Sequence, residues 1–354
     1  MENIDKLDKN FKLEAQIEGN NLTFYNVKEK PFDLYGLYKP KLGEDFIRMP
    51  PETAESVSEV ILRLCHQTSG GRVRFSTDSP YIAILAELPS ISHMPHMPLS
   101  GSTGFDMYIF ENNQYKYVHS FIPPYDVGDK YEAGFSFEDE KMRDIIINFP
   151  LYNSLSELYV GVKENSSVLS GGRYIGEKPI VYYGSSITQG ACASRPGNCY
   201  QSIISRELNR DFINLGFSGN ARAEKTMAEY IASLDMSCFV YDYDYNAPTA
   251  EFLEQTHKAM FDIIRDKNPG LPIVMMTNPS QEFSGEIMQK RRDIIFNTYK
   301  VAKQSGDNNV YFIDAQELFK RFGGEGRTVD GLHPNDFGFV CMAEGILKVM
   351  KEIF

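Results

Sequence analysis

Along the first ~170 residues apolar and polar positions alternate; beyond them apolar residues gather into short unbroken blocks separated by helical repeats. The first pattern predicts antiparallel strands with one buried face, the second parallel strands buried on both. In the first part, "RVRFSTDSPYIAILAEL" alternates through Val73 and Phe75 and runs apolar from Tyr81. "FDMYIFENNQYKYVHSF" reads as a hairpin turning at Asn112 and Asn113, where asparagine tolerates positive φ. "MRDIIINFP" and "ELYVGVKE" are further strands, and only "TAESVSEVILRLCHQ" carries a helical period. Many strands with frequent turns predict an antiparallel sandwich.

The second part alternates strand and helix. The strands are "KPIVYYG", "DFINLG", "SCFVYDYD", "LPIVMMTN" and "NVYFIDA". Between and after them lie "NCYQSIISRELN", "AEKTMAEYIASL", "TAEFLEQTHKAMFDIIRDKN", "EIMQKRRDIIFNTYKVAKQSG" and "FGFVCMAEGILKVMKEIF". This predicts an α/β unit with a parallel sheet covered on both faces, with ligands at the carboxyl ends of its strands. The Ser- and Gly-rich "NSSVLSGGRYIG" marks the boundary, giving a β module over 1–174 and an α/β domain over 175–354.

A length of 354 residues suits two domains, and 42% hydrophobic with 24% charged residues suits sizeable cores. The net charge of −12 argues against nucleic acid as a partner, because phosphate binding needs clustered Lys and Arg. No apolar run approaches the ~18 residues that span a bilayer, so no membrane partner is expected. Five cysteines, Cys65, Cys192, Cys199, Cys238 and Cys341, are an odd number in no zinc-binding spacing. Free thiols fit a reducing compartment. With no targeting signature in "MENIDKLDKNFKLEAQIEG", the expectation is a cytoplasmic protein.

The first α/β strand ends in "VYYGSSITQG", at the sheet edge where chemistry is expected. A phosphate loop would need a Lys after its last Gly, where Ala191 stands. A dinucleotide fingerprint would need Gly at Ser186. The nucleophile elbow Gly-x-Ser-x-Gly is closer, with Thr188 at its last Gly, and a plain turn is the remaining alternative. A serine hydroxyl needs a base to take its proton. "VDGLHPND" supplies His333 in a loop before the closing helix, with Asp330 three residues upstream to fix the imidazole. Ser186, Asp330 and His333 therefore form a candidate triad.

"YGSSITQG" together with "DGLHP" resembles the SGNH hydrolases, the Gly-Asp-Ser-type esterase superfamily. On that pattern Ser186 is the nucleophile, Ser185 replaces the family's Asp and buttresses the loop, and Asp330 and His333 complete the triad. The resemblance implies an oxyanion hole from the N–H of Ser186, the N–H of Gly219 in "NLGFSGNA" and the amide of Asn246 in "DYNAP". In this last block Asp244 replaces the family's Gly and Ala247 its Asp. Upstream, "HMPLSGSTGFDMYIF" resembles the Gly-x-Asp-Leu-Tyr module that precedes some bacterial SGNH esterases, through Gly104, Asp106 and Tyr108, with Met107 for Leu. That likeness implies strand and turn for the segment at 53–67.

Together the two likenesses imply a β-sandwich (jelly-roll-like) module before a three-layer, flavodoxin-like α/β/α domain, as in bacterial carbohydrate acetylesterases. They imply a serine esterase that needs no metal or organic cofactor and removes short acyl groups, O-acetyl above all, from carbohydrates. Two alternatives stand beside it. One is a lipase or acylhydrolase on short-chain or lysophospholipid esters; the other is a glycan-binding protein with a degenerate hydrolase domain.

Other residues keep two readings. Arg195 in "ACASRPGN" can hydrogen-bond a sugar or acid group of the substrate, or sit in a salt bridge. His93 and His96 in "SHMPHMP" lack a third metal ligand nearby in sequence and read as an extended loop, one able to fold over the site as a lid. Asp242 and Asp244, interleaved with tyrosines, read as strand end and loop. Tyrosine-rich surfaces allow a homo-oligomer.

Overall fold

A computed structural model describes residues 17, 21–279, 285–320 and 326–354. Apart from Ile17, the N-terminal segment in which no targeting signature is read lies outside them. Among the described residues no helix is long and apolar enough to cross a membrane.

The N-terminal part contains β1 Leu22–Asn26, β2 Asp33–Tyr35, β3 Arg72–Thr77, β4 Tyr81–Glu87, β5 Phe105–Glu111, β6 Gln114–Phe121, β7 Lys130–Ser136, β8 Arg143–Asn148, β9 Glu157–Lys163 and β10 Val168–Ser170. One antiparallel sheet has the order β1-β9-β4-β7; the other has β10-β3-β8-β5-β6, with β2 also on β3. Strands β1, β2, β7 and β10 escape the sequence pattern. The β5–β6 hairpin pairs Glu111 with Gln114 across Asn112 and Asn113, both at positive φ.

Alternation sets what each face does. Val73, Phe75, Phe105 and Met107 point between the sheets into a core with Ile82, Ile84, Ile145 and Val160. The intervening Arg72, Arg74, Asp106 and Tyr108 are buried as well, but on the opposite face of their strands. That face is covered by the α/β domain.

The segment at 53–67 is helical. It forms α1 Pro51–Val57 and α2 Glu59–Cys65, parted at Ser58. Proline starts α1, and the Ser58 hydroxyl caps α2 by accepting from Ile61 N–H. The strand and turn implied by family likeness is thus corrected. Ala54, Ile61, Leu64 and Cys65 face the core of the α/β domain, and this burial is what a helical period can satisfy and a strand period cannot. A four-residue helix, α3 Leu99–Ser102, went unread in the sequence.

The α/β domain has strands β11 Ile180–Gly184, β12 Phe212–Gly216, β13 Cys238–Asp242, β14 Ile273–Met276 and β15 Val310–Ile313. All are parallel, in the order β12-β11-β13-β14-β15. Its helices are α4 Ser186–Gln189, α5 Tyr200–Leu208, α6 Lys225–Ser233, α7 Ala250–Lys267, α8 Glu286–Gln304, α9 Ala315–Phe319 and α10 Asp336–Ile353. Helices α6, α7 and α8 cover the face of Val181 and Tyr183, whereas α5 and α10 cover that of Ile180 and Tyr182. The chain runs outward in both directions from β11 and β13, so the loops after these two strands part and leave a crevice at their carboxyl ends.

Candidate active site

Ser186 is the first residue of α4, directly after β11. Three local features hold it there. The Ser185 hydroxyl accepts from Ile187 N–H at 3.2 Å, the buttress expected of it. Gly190, at φ 101°, ends the helix after one turn. Gly184 lets the turn close, because a Cβ there would stand 1.9 Å from Asp242 Oδ1 and 2.1 Å from Thr188 Oγ1. Tyr152 of the β module donates its hydroxyl to the Ser186 carbonyl at 3.3 Å.

Ser186 Oγ lies 2.9 Å from His333 Nε2, and His333 Nδ1 lies 2.7 Å from Asp330 Oδ2. The loop that carries the last two is tight. Gly331 takes φ 84°, and Asp330 Oδ1 accepts from the backbone N–H groups of Leu332 at 3.1 Å and His333 at 2.8 Å. Partial burial would raise the Asp330 pKa, but the bonds from His333 and Leu332 outweigh it and hold the carboxyl down to about 2. Asn335 then caps α10, accepting from Gly338 N–H at 3.1 Å.

Gly219 and Asn246 come to the same edge, from the loops after β12 and β13. Gly219 has φ 70°, and a Cβ added there would meet nothing within 4 Å, so backbone conformation and not space favours glycine. Gln189 steadies that loop: its Oε1 accepts from Ser218 N–H at 3.0 Å, while its Nε2 donates to the Leu151 carbonyl at 3.3 Å. Asn246 Oδ1 accepts from Ala221 N–H at 3.2 Å, which ties this side chain to the loop of Gly219.

Arg195 is not brought to this group. Its guanidinium donates to Asp106 Oδ2 at 2.8 Å and to the Tyr108 hydroxyl, and lies 4.1 Å over the Tyr117 ring. Of its two readings, the structure favours the salt bridge. Asp106 Oδ2 also accepts from Gly197 N–H at 2.8 Å, and Oδ1 from Asn148 Nδ2 at 2.8 Å. The aspartate of the Gly-x-Asp-Leu-Tyr motif is therefore a clamp between domains.

Other neighbours of the site lie in loops with no periodicity to reveal them. The His96 ring is 5.7 Å from that of His333, so the "SHMPHMP" loop does fold to the site. Cys192 is buried beside it, and burial together with the Asp330 charge pushes its thiol up to about 12. All five cysteines are buried, and none is in a disulfide. Between His93, Pro95, Met97, Ile122 and Tyr125 runs a groove of ≈ 610 Å³.

A serine hydrogen-bonded to an imidazole that is itself oriented by a carboxylate, at the switch point of a parallel sheet, defines the serine-hydrolase class. Residues 177–351 match the GDSL-like lipase/acylhydrolase family and residues 22–168 the N-terminal module of SGNH-type esterases. The chain belongs to this family of two-domain SGNH esterases and is a carboxylic ester hydrolase. No curated protein sequence matches it at a significant level. Among solved structures, it is similar to a GDSL-like lipase from Bacteroides ovatus, with 28% identity over 94% of this chain and 98% of that one, TM-score 0.85. The fold is shared by the salicylyl-acyltransferase SsfX3 of a tetracycline biosynthetic pathway, at 18% identity, 94% and 97% coverage and TM-score 0.77. It is also shared by an acetyl xylan esterase from the rumen bacterium Butyrivibrio proteoclasticus, at 11% identity, 94% and 98% coverage and TM-score 0.59.

Proposed function

We propose that Ser186, His333 and Asp330 are the catalytic triad of an esterase that removes short acyl groups, O-acetyl above all, from carbohydrates. The continuous hydrogen-bond chain Ser186–His333–Asp330 carries this reading. His333 Nε2 takes the proton of Ser186 Oγ as it attacks the ester carbonyl, and Asp330 holds the imidazolium that forms. The oxyanion accepts from Ser186 N–H, Gly219 N–H and Asn246 Nδ2, each donor being worth about 3 kcal/mol in the transition state. His333 returns the proton to the leaving alcohol, and water repeats the cycle on the acyl-enzyme.

The choice of carbohydrate is supported by the groove beside His96, whose Tyr125 is 83% exposed and offers a flat face to a sugar ring. The carbohydrate-esterase folds among its structural neighbours point the same way. The test is acetate release from acetylated xylo- and manno-oligosaccharides, with Ser186→Ala as control. Acetate from the wild type alone is expected. No acetate, with rapid turnover of p-nitrophenyl butyrate or a lysophospholipid, would overturn the substrate class. A fluorophosphonate that leaves Ser186 unlabelled would remove the triad itself.

A further inference from the structure

We infer that the wall of this crevice binds a thiophilic divalent cation, of which Zn²⁺ is the type, through His96, Cys192 and His333, and that the ion switches the esterase off. One ligand atom from each residue lies within 4.8 Å of those of the other two. Among the described residues this is the one such cluster of three. Ligands of a tetrahedral zinc ion stand roughly 3.3–3.5 Å apart, from bond lengths of about 2.0 Å to nitrogen and 2.3 Å to sulfur. Side-chain movements of about 1 Å would therefore close the set. Two imidazoles and a thiolate suit zinc and its soft neighbours, not the oxygen-seeking Ca²⁺ or Mg²⁺.

The three residues come from three separate segments: the β-module loop before α3, the turn after α4, and the loop before α10. No sequence spacing could announce them. His96 is exposed, so an ion has a way in, and the fourth position stays open to water. Asp330 on His333 Nδ1 is the carboxylate–imidazole pair that orients histidine ligands. It also leaves only Nε2 with a lone pair for the ion.

That same lone pair faces Ser186 Oγ. An ion on it leaves no base for the serine proton, so metal and ester turnover exclude each other. Coordination drives the Cys192 proton to solvent as the S–metal bond forms, with no change of oxidation state. The binding stands independently of the esterase reading; the inhibition rests on it.

The probe is Co²⁺, added to the metal-free protein and followed by its thiolate charge-transfer absorption in the near ultraviolet. Zn²⁺ is then titrated against that band and, separately, against p-nitrophenyl acetate hydrolysis. A one-to-one band displaced by Zn²⁺, with activity lost in parallel and restored by a chelator, is expected. Loss of a ligand in His96→Ala, which is exposed and leaves the fold intact, or in Cys192→Ala should raise the half-saturating Zn²⁺ about ten- to a hundredfold. No band, or variants that match the wild type, would overturn the site. Hydrolysis that persists with Zn²⁺ bound would overturn the switch. A band on a protein that hydrolyses no ester would keep the metal site and remove the esterase reading instead.

Discussion

Asp330 sets the tautomer of His333, and the chemistry of one atom decides what its replacement does. As a carboxylate it accepts from His333 Nδ1–H, which in the proposed mechanism frees Nε2 to act as base. In Asp330→Asn the amide turns an N–H toward Nδ1, the ring proton moves to Nε2, and Ser186 faces a donor. We expect kcat to fall about 10³- to 10⁴-fold, with KM nearly unchanged, in steady-state assays. With its pKa held down to about 2, below the unfolded value, Asp330 stabilises the fold above the ordinary carboxylate range and loses that contribution as pH falls toward 2. Asn246→Ala tests the opposite side of the reacting carbon and should cost about 10²- to 10³-fold in kcat, again with little change in KM. The positions of Ser186 and His333 were legible because short local motifs carry them. Arg195 was not, because its partners Asp106 and Tyr108 lie on a strand of the other domain, about which a window around residue 195 says nothing.

At the scale of elements, the carboxyl ends of β11 and β13 are locked by contacts that glycine and two buried aspartates make possible. Gly184 faces Asp242 across the paired strands, and neither can retreat. Gly184→Ala should lose about 1–3 kcal/mol by denaturant unfolding and displace α4, so the rate at Ser186 falls further than stability alone requires. Asp244, at the start of the turn that carries Asn246, is fully buried. Desolvation raises its pKa to about 6, against the Asn278 N–H bond and the Arg291 charge, which lower it. A carboxyl raised in the folded state contributes stability below its unfolded pKa and loses it as pH rises through the folded one. Asp244→Asn should therefore gain up to about 3 kcal/mol over the wild type at pH 7.5, a gain absent at pH 4, in paired urea titrations. The five parallel strands were legible from their apolar blocks. So were α1 and α2, whose local period proved a better guide than family likeness because it reports the face they bury. The edge strands β1, β2, β7 and β10 were not, since three to seven mixed residues give alternation too little length to register.

For the whole molecule the question is whether the β module is a tether or part of the catalytic unit. Its outer sheet face buries Arg72 against Asp211 and the Phe212 carbonyl, and Arg48 reaches the carbonyls of Asn214 and Gly216 at the end of β12. Asp106 joins the same face to Arg195 and to Gly197 N–H, beside the loop that α10 fastens through Asp336. Removing the Asp106 carboxylate takes the charged acceptor from Arg195, which keeps the Tyr108 hydroxyl, and takes their acceptor from Gly197 N–H and Asn148 Nδ2. Arg195 keeps about a fifth of its side chain in solvent and can partly rehydrate, so the loss belongs at the low end for a buried pair. Asp106→Ala should cost about 2–3 kcal/mol, shift the urea midpoint with an unchanged slope, and melt both domains in one transition. Because the Gly197 loop lies between the nucleophile helix and α5, kcat/KM should fall about tenfold, a loss of about 1.4 kcal/mol in transition-state binding. A tether would behave otherwise: the β module would unfold in a transition of its own, and the activity at Ser186 would survive it.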